Sequence, residues 1–320
     1  AFSNSRRCRR SSASRSSRST AAVSRARLSF RTKSDAPAFI AAAAPFEGDP
    51  WDIVAKEAPL TAALPMGCVL TLPATGSEMN DCAVISRRET GEKLAFASPL
   101  VYPRFSVLDP ETTFTLPARQ VANGVVDAYA HVLEQYLTYP AAAPLQDRFA
   151  EGILLTLIED GPRALAEPPD YDARASLMWC ATLALNGLIG QGVPGDWSTH
   201  MIGHEITAIY GLDHAQTLAI VFPAAMSVRR EGKRAKLLQY AERVWGIREG
   251  TEDARIDAAV ARTRAFFESL GVATRLSDYG IDGCAAKEVA ARFERRGWTT
   301  LGERRDLGPA TVAEILTVAA

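Results

Sequence analysis

The sequence predicts an all-α, metal-binding C-terminal domain preceded by a shortened α/β segment, and three observations point to it. Between Cys68 and Pro117, short apolar runs (Cys68 to Leu72, Ala83 to Ser86, Phe105 to Leu108) alternate with Gly, Pro and Asp, which is the pattern of strands and tight turns. After Pro117 the apolar period changes from two to three and four, with Val121, Val125, Ala128 and Val132, then Ile153, Leu154, Leu157 and Ile158. All four histidines of the chain, His131, His200, His204 and His214, fall inside that helical region.

Composition sets the outer bounds. With 320 residues, 47% hydrophobic and 23% charged, the chain can bury a sizeable core. No run approaches the roughly 18 apolar residues of a membrane span. Five cysteines, at 8, 68, 82, 180 and 284, are odd in number and form no C-x-x-C pair, so they read as thiols and not as a disulfide or zinc framework. The formal charge of −1 hides an asymmetry, because residues 1–34 hold nine Arg and Lys33 with no Asp or Glu, a charge of +10 against −11 for the remainder.

From the N-terminus onward the elements follow. Residues 1–38 form a basic Ser/Arg-rich head with too few apolar residues to fold alone. It reads as an organellar transit segment, or as translation upstream of or out of frame with a gene; an Arg/Ser nucleic-acid arm is disfavoured because no aromatic residues interleave and no reader module follows. The expected location is therefore cytoplasmic, or organellar if the head is a transit peptide. Residues 39–117 are the β-containing segment and 118–320 the helical domain. Within the latter, Asp196 is placed to cap a helix starting at Trp197, Gly211 to end it in a left-handed turn, and Asp213 to cap the next. Arg234 to Val244 and Ile256 to Leu270 carry charge beside apolar stripes, as solvated bundle helices do.

Two sets of residues carry chemistry. Asp127 and His131 stand four apart on one helix, and His200 and His204 repeat that spacing on another, with His214 just beyond the following turn. Residues four apart project from the same helix face, so two facing helices bring a carboxylate and up to three imidazoles to one ion. That donor set suits Zn²⁺ or Fe²⁺ and not Ca²⁺ or Mg²⁺, which take more oxygen ligands. The second set is Leu70-Thr71-Leu72-Pro73-Ala74-Thr75-Gly76-Ser77-Glu78, a strand entering a turn whose amides and Thr71, Thr75 and Ser77 hydroxyls suit phosphate oxygens. A plain Thr/Ser turn is the competing reading. Lys93, in the turn from Thr90, either adds a cation to the same phosphates or is solvated.

The stretches Leu72 to Glu78, Val107-Leu108-Asp109-Pro110, Gly124 to Ala128 with His131, His200-Met201-Ile202-Gly203-His204 and Gly211-Leu212-Asp213-His214, in this order, resemble the iron-containing (group III, metal-dependent) alcohol dehydrogenases. More narrowly they resemble the NADPH-dependent aldehyde reductase and butanol dehydrogenase-like branch. The resemblance runs from about Phe39 to the C-terminus. It implies a dehydroquinate synthase-like fold with a truncated α/β dinucleotide-binding domain before the helical one. It also implies Asp127, His131, His200 and His214 as metal ligands, His204 beside the metal near the nicotinamide, and Thr71, Thr75, Asn80, Lys93 and Thr113 as cofactor contacts. Zn²⁺ or Fe²⁺, NADP(H) with NAD as the alternative, a small aldehyde or alcohol substrate, and a homodimer or larger assembly complete the expectation; no nucleic-acid or membrane partner is expected.

In the family a Gly-Gly-Gly-Ser phosphate loop precedes the segment equivalent to Phe39, whereas this sequence has Arg31-Thr32-Lys33-Ser34-Asp35-Ala36-Pro37 there. Close approach of such glycines to a pyrophosphate is what dinucleotide binding uses. Two functional readings therefore stand: a metal-dependent NAD(P)H alcohol dehydrogenase or aldehyde reductase, and a truncated, catalytically silent metal-binding homologue. A zinc hydrolase fits the ligand types but leaves the hydroxyl-rich turn without a purpose.

Overall fold

The structure, a computed structural model, describes residues 35–320. The expected basic head therefore lies outside the described residues as far as Ser34. Helix α1 (Asp35–Ala43) and the short α2 (Trp51–Ala55) come first, followed by β1 (Cys68–Val69), β2 (Cys82–Arg87), β3 (Glu92–Ala97) and β4 (Ser106–Val107). The strands form two separate pairs. β1 runs parallel to β4, Cys68 opposite Ser106, while β2 and β3 make an antiparallel hairpin with Ser86 opposite Lys93. Gly91 closes that hairpin at φ 61°, a conformation that only Gly adopts without strain.

The sequence reading is corrected here. Residues 92–97 form a strand, and Lys93 on it is 6% exposed and not solvated in a turn. The strand expected over Cys68 to Leu72 is shorter, because from Leu70 the chain leaves the ladder to become the hydroxyl-rich turn. Phe39, Ala42, Trp51, Ile53, Ala83, Ile85 and Val101 give this part a small core of its own. Beyond it Phe105, Val69 and Val107 are 64%, 58% and 46% exposed, so the β1–β4 pair has an uncovered apolar face.

From Ala118 onward helices dominate: α3 (Ala118–Tyr136), α4 (Pro144–Arg163), α5 (Tyr171–Leu185), α6 (Ser198–Tyr210), α7 (His214–Val228), α8 (Arg230–Arg243), α9 (Glu252–Ser269), α10 (Cys284–Arg296) and α11 (Pro309–Val318). α3 is buried on every side from Val121 to Tyr136, as expected of a helix surrounded by others. Its apolar residues, with those of α4, α5, α8 and α9, form the larger core. Ile202 and Ile206 of α6 pack with α10 and α11 in a second core. α7 serves both, with Leu218, Ala219 and Phe222 in the first and Ile220, Val221 and Ala224 in the second. Each such Leu, Ile or Phe contributes roughly 1.5–3 kcal/mol through burial. The two halves of the domain therefore cannot separate without exposing α7, and α7 begins at His214.

Gly124 on α3 lies against the turn at Pro73. A Cβ there would lie 2.4 Å from the Pro73 carbonyl oxygen, and backbone cannot retreat as a flexible side chain can. Gly124→Ala should destabilise the chain by about 1–3 kcal/mol. Urea unfolding of both proteins measures this, and an unchanged midpoint would show that the 73–77 turn is not seated on α3. No helix among the described residues is long and apolar enough to cross a membrane.

Candidate metal centre and the cleft above it

The site is built on three helix segments. Asn123, Asp127, His131 and Glu134 recur at four, four and three along α3, a polar stripe on an otherwise apolar buried helix. His200 and His204 sit one turn apart on α6, and His214 is the first residue of α7. The chain reverses between them through Gly211, at φ 74°, and Asp213, whose backbone N–H donates to Gln216 Oε1 at 3.0 Å. The Asp213 carboxylate accepts from Arg119 Nη1 at 2.7 Å and Asn123 Nδ2 at 2.9 Å, which fastens the start of α7 to α3.

These constraints bring the side chains together. Ligand-capable atoms of Asp127, His131 and His200 lie within 4.8 Å of one another, and His214 Nε2 is 3.7 Å from Asp127 Oδ1. The rings of His131 and His200 are stacked at 4.7 Å, and His200 and His214 are 5.2 Å apart between centroids. His204 lies behind, 4.9 Å from His214 and 6.4 Å from His200. His131 Nδ1, His200 Nε2 and His214 Nδ1 are buried and make no hydrogen bond. Buried ring nitrogens without a partner are costly, and a cation removes that cost.

Electrostatics agree. Burial, and to a lesser degree His200, outweigh the Asp127 charge and lower His131 to about 4; burial and then Lys93 lower His200 to about 3. His204 and His214 are also held well below the ordinary range, first by burial and next by Lys93. Imidazoles are thus neutral at physiological pH, the state in which they donate a lone pair to a metal. One carboxylate oxygen and three neutral imidazole nitrogens, brought together in this way, fit a Zn²⁺ or Fe²⁺ ion.

Two of the donors, Asp127 and His214, line a cleft of about 500 Å³. Thr71, Thr75, Ser77 and Asn123 also line it. The hydroxyl-rich turn is anchored from behind: Thr182 Oγ1 donates to the buried Glu78, and Asn80 Nδ2 donates to the Thr75 and Leu185 carbonyls at 2.9 and 3.3 Å. Asn80 Oδ1 accepts from the Cys82 N–H at 3.1 Å. Asn80 is 5% exposed and is engaged with backbone on the far side of the turn. Thr113 is 1% exposed; its hydroxyl donates to the Pro110 carbonyl at 2.7 Å and accepts from Arg174, also away from the cleft. Of the residues singled out from the sequence, Thr71, Thr75, Ser77, Asp127 and His214 line the cleft, and His131, His200, His204, Asn80, Lys93 and Thr113 do not.

Several participants escaped the sequence reading. Glu134 Oε1 lies 2.9 Å from His200 Nδ1 and accepts the His200 backbone N–H at 3.0 Å. Burial and then Asp196 push its carboxyl well up, against the backbone N–H groups of His200 and Trp197 that point at it. Trp197, expected as the first helical residue, instead precedes α6 in a left-handed conformation (φ 60°), with its ring 5.4 Å from that of His200. Arg292 of α10 donates to Glu205 beside His204 and to the Gly91 carbonyl at 2.7 Å, joining α6 to the hairpin that carries Lys93. Only Glu134 had a sequence signal, its position three after His131 and seven after Asp127 on one helix face.

Family comparison decides the class of this centre. The model of the Fe-containing alcohol dehydrogenase family, C-terminal part, matches residues 121–316, and that of the iron-containing alcohol dehydrogenases matches 35–110. The chain belongs to the iron-containing alcohol dehydrogenase family. It is an oxidoreductase acting on CH–OH groups. It is 64% identical over 278 residues to the NADPH-dependent aldehyde reductase YqhD of Escherichia coli, covering 85% of this chain and 71% of that one. It is 39% identical over 287 residues to NADH-dependent butanol dehydrogenase B of Clostridium acetobutylicum, 89% of this chain and 73% of the other. Its fold superposes on the substrate- and cofactor-free aldehyde reductase YqhD from Escherichia coli with a TM-score of 0.83 at 59% identity, covering 90% and 75% of the two chains. For NADH-dependent butanol dehydrogenase A of Thermotoga maritima the TM-score is 0.84 at 35% identity, covering 90% and 74%. The chain thus shares the fold of these family members, with a mainly helical C-terminal domain, as the sequence predicts.

Proposed function

We propose that this alcohol dehydrogenase reduces short aldehydes with NADPH, using a zinc or iron ion held by Asp127, His131, His200 and His214 within residues 118–320, while residues 39–117 face the cofactor. The observation that carries the reading is the convergence of one carboxylate and three neutral imidazoles beside a cleft that Thr71, Thr75 and Ser77 line together with Asp127 and His214. NADPH is preferred to NADH because the 64%-identical relative is named for NADPH, although the 39%-identical one is named for NADH. Zinc is preferred to iron, and a dimer or larger assembly is expected.

When bound, the metal supplies a Lewis acid for the substrate oxygen and the nicotinamide supplies the hydride. The chain's own residues do the rest. Asp127 sets one anionic donor against three neutral ones, leaving a net positive centre beside which an anionic oxygen is stabilised. Thr71, Thr75 and Ser77 offer hydroxyls to phosphate oxygens in the cleft, and the buried Lys93 adds positive potential near the histidines. His204, neutral and next to His214, is placed to relay a proton to the product oxygen, one ring nitrogen releasing its proton as the other takes one up from solvent.

The test is NADPH oxidation by the zinc-loaded chain with butanal, followed at the nicotinamide absorbance. Consumption that stops on chelation is the expected result; no consumption with zinc bound would favour the silent homologue. His204→Ala should retain zinc and lose roughly 10²–10⁴-fold in turnover, the usual worth of a general acid. Zinc loss in that variant would make His204 a ligand and move the proton source elsewhere.

A further inference from the structure

Glu134 has no part in the function proposed above, yet it is the buried carboxylate in contact with His200. Its Oε1 accepts the His200 backbone N–H, a group that can only donate, at 3.0 Å. The same oxygen lies 2.9 Å from His200 Nδ1. A carboxylate oxygen that accepts one N–H can accept a second, from a ring protonated at Nδ1. In that tautomer the lone pair of His200 is on Nε2, the buried nitrogen that makes no hydrogen bond, and His200 is grouped with Asp127 and His131 at 4.8 Å or less between ligand atoms.

We infer that Glu134 is the positioning residue of the metal centre, fixing the tautomer and rotation of His200 so that Nε2 is presented to the ion. This rests on His200 being a ligand. A single helix then supplies two ligands, Asp127 and His131, and the group that aims a third from another helix. Glu134 is itself held in place. The Asp196 N–H donates to its backbone carbonyl at 2.9 Å, and the Asp196 carboxylate is bonded to Lys233 Nζ at 2.6 Å and Arg229 Nη1 at 3.0 Å. Lys233 also donates to the Leu137 carbonyl at the C-terminal end of α3. Carboxylates that orient metal-bound imidazoles commonly govern affinity by about 10–100-fold.

The experiment uses the full 320-residue chain and zinc alone. Competition with a chromogenic chelator gives zinc affinity, ¹⁵N NMR of the imidazoles gives the His200 tautomer, and thermal melting of the metal-free proteins reports folding. Glu134→Ala should weaken zinc binding about 10–100-fold and give a mixed His200 tautomer. Glu134→Gln keeps an acceptor oxygen of the same shape, so it should fold as the parent does and fall between the two in affinity. If Glu134→Ala does not fold, Glu134→Leu, which fills the space but has no acceptor, decides: parental affinity together with an unchanged tautomer in it would overturn the inference. His200→Ala separates the two levels. Its loss of zinc with parental binding in the Glu134 variants would leave the centre intact and remove Glu134 from it, whereas parental binding in His200→Ala would refute the ligand assignment itself.

Discussion

Asp127→Ala and His214→Ala should each strip zinc from the protein and abolish aldehyde reduction while leaving the helical domain folded. Asp127 is the one anionic donor and lies 4% exposed on the central helix; without it a divalent ion would face only neutral imidazoles in a desolvated site. His214 is 3.7 Å from Asp127 Oδ1 and comes from α7, so its removal opens the ligand set to the cleft. Loss of a ligand must cost more than loss of its orienting partner, so the fall in zinc affinity should exceed about 100-fold. Turnover should fall at least about 10³-fold, since the Lewis acid is worth several kcal/mol and each 1.36 kcal/mol is tenfold. Bound zinc per chain, measured by atomic absorption after dialysis, and NADPH oxidation on the same samples check both. Stoichiometric zinc in either variant would exclude that residue as a ligand. Unlike His204→Ala, these variants should lose metal and turnover together.

How much of this was legible in the sequence follows from the range over which each feature is determined. Asp127 with His131, and His200 with His204, declare themselves because helix geometry alone puts residues four apart on one face. Gly211 and Asp213 likewise announce a turn from local chemistry, and the structure has the left-handed Gly211 and the helix start at His214. The burial of Lys93 is not legible because it depends on the hairpin folding against α6, and a Thr-Gly-Glu-Lys run reads locally as a solvated turn as readily as a phosphate contact. Asn80 and Thr113 sit within motif stretches, yet which way their side chains face is set by partners 105 and 61 residues away, Leu185 and Arg174. Trp197 looks like an ordinary helix start in sequence; its left-handed backbone follows from the tertiary position of α6, whose leading N–H groups meet Glu134 of α3.

The same tertiary dependence makes Asp196→Ala the substitution expected to cost most in stability. Asp196 is 8% exposed and stands between Lys233 at 2.6 Å and Arg229 at 3.0 Å, both themselves nearly buried. Burial pushes the Asp196 carboxyl up, but those two cations outweigh it and hold it below the usual range, so the group is ionised in the folded chain. Glu303 also faces both cations, at 3.1 Å from Lys233 and 3.5 Å from Arg229, and Asp306 meets Arg229 at 2.6 Å. Truncation to Ala leaves Lys233 in particular with Glu303 as its one remaining ion-pair partner among the described residues, and removes the acceptor for the Ser198 N–H at the start of α6. Breaking one side of a buried ionic group costs about 3–5 kcal/mol. Because the cost arises from the cation left behind, Asp196→Ala with Lys233→Met should lose less than the sum of the two single changes, by about 0.5–3 kcal/mol. Chemical denaturation of the four proteins closes this cycle; additive losses would mean that the two residues stabilise the chain independently and that the network does not act as a unit.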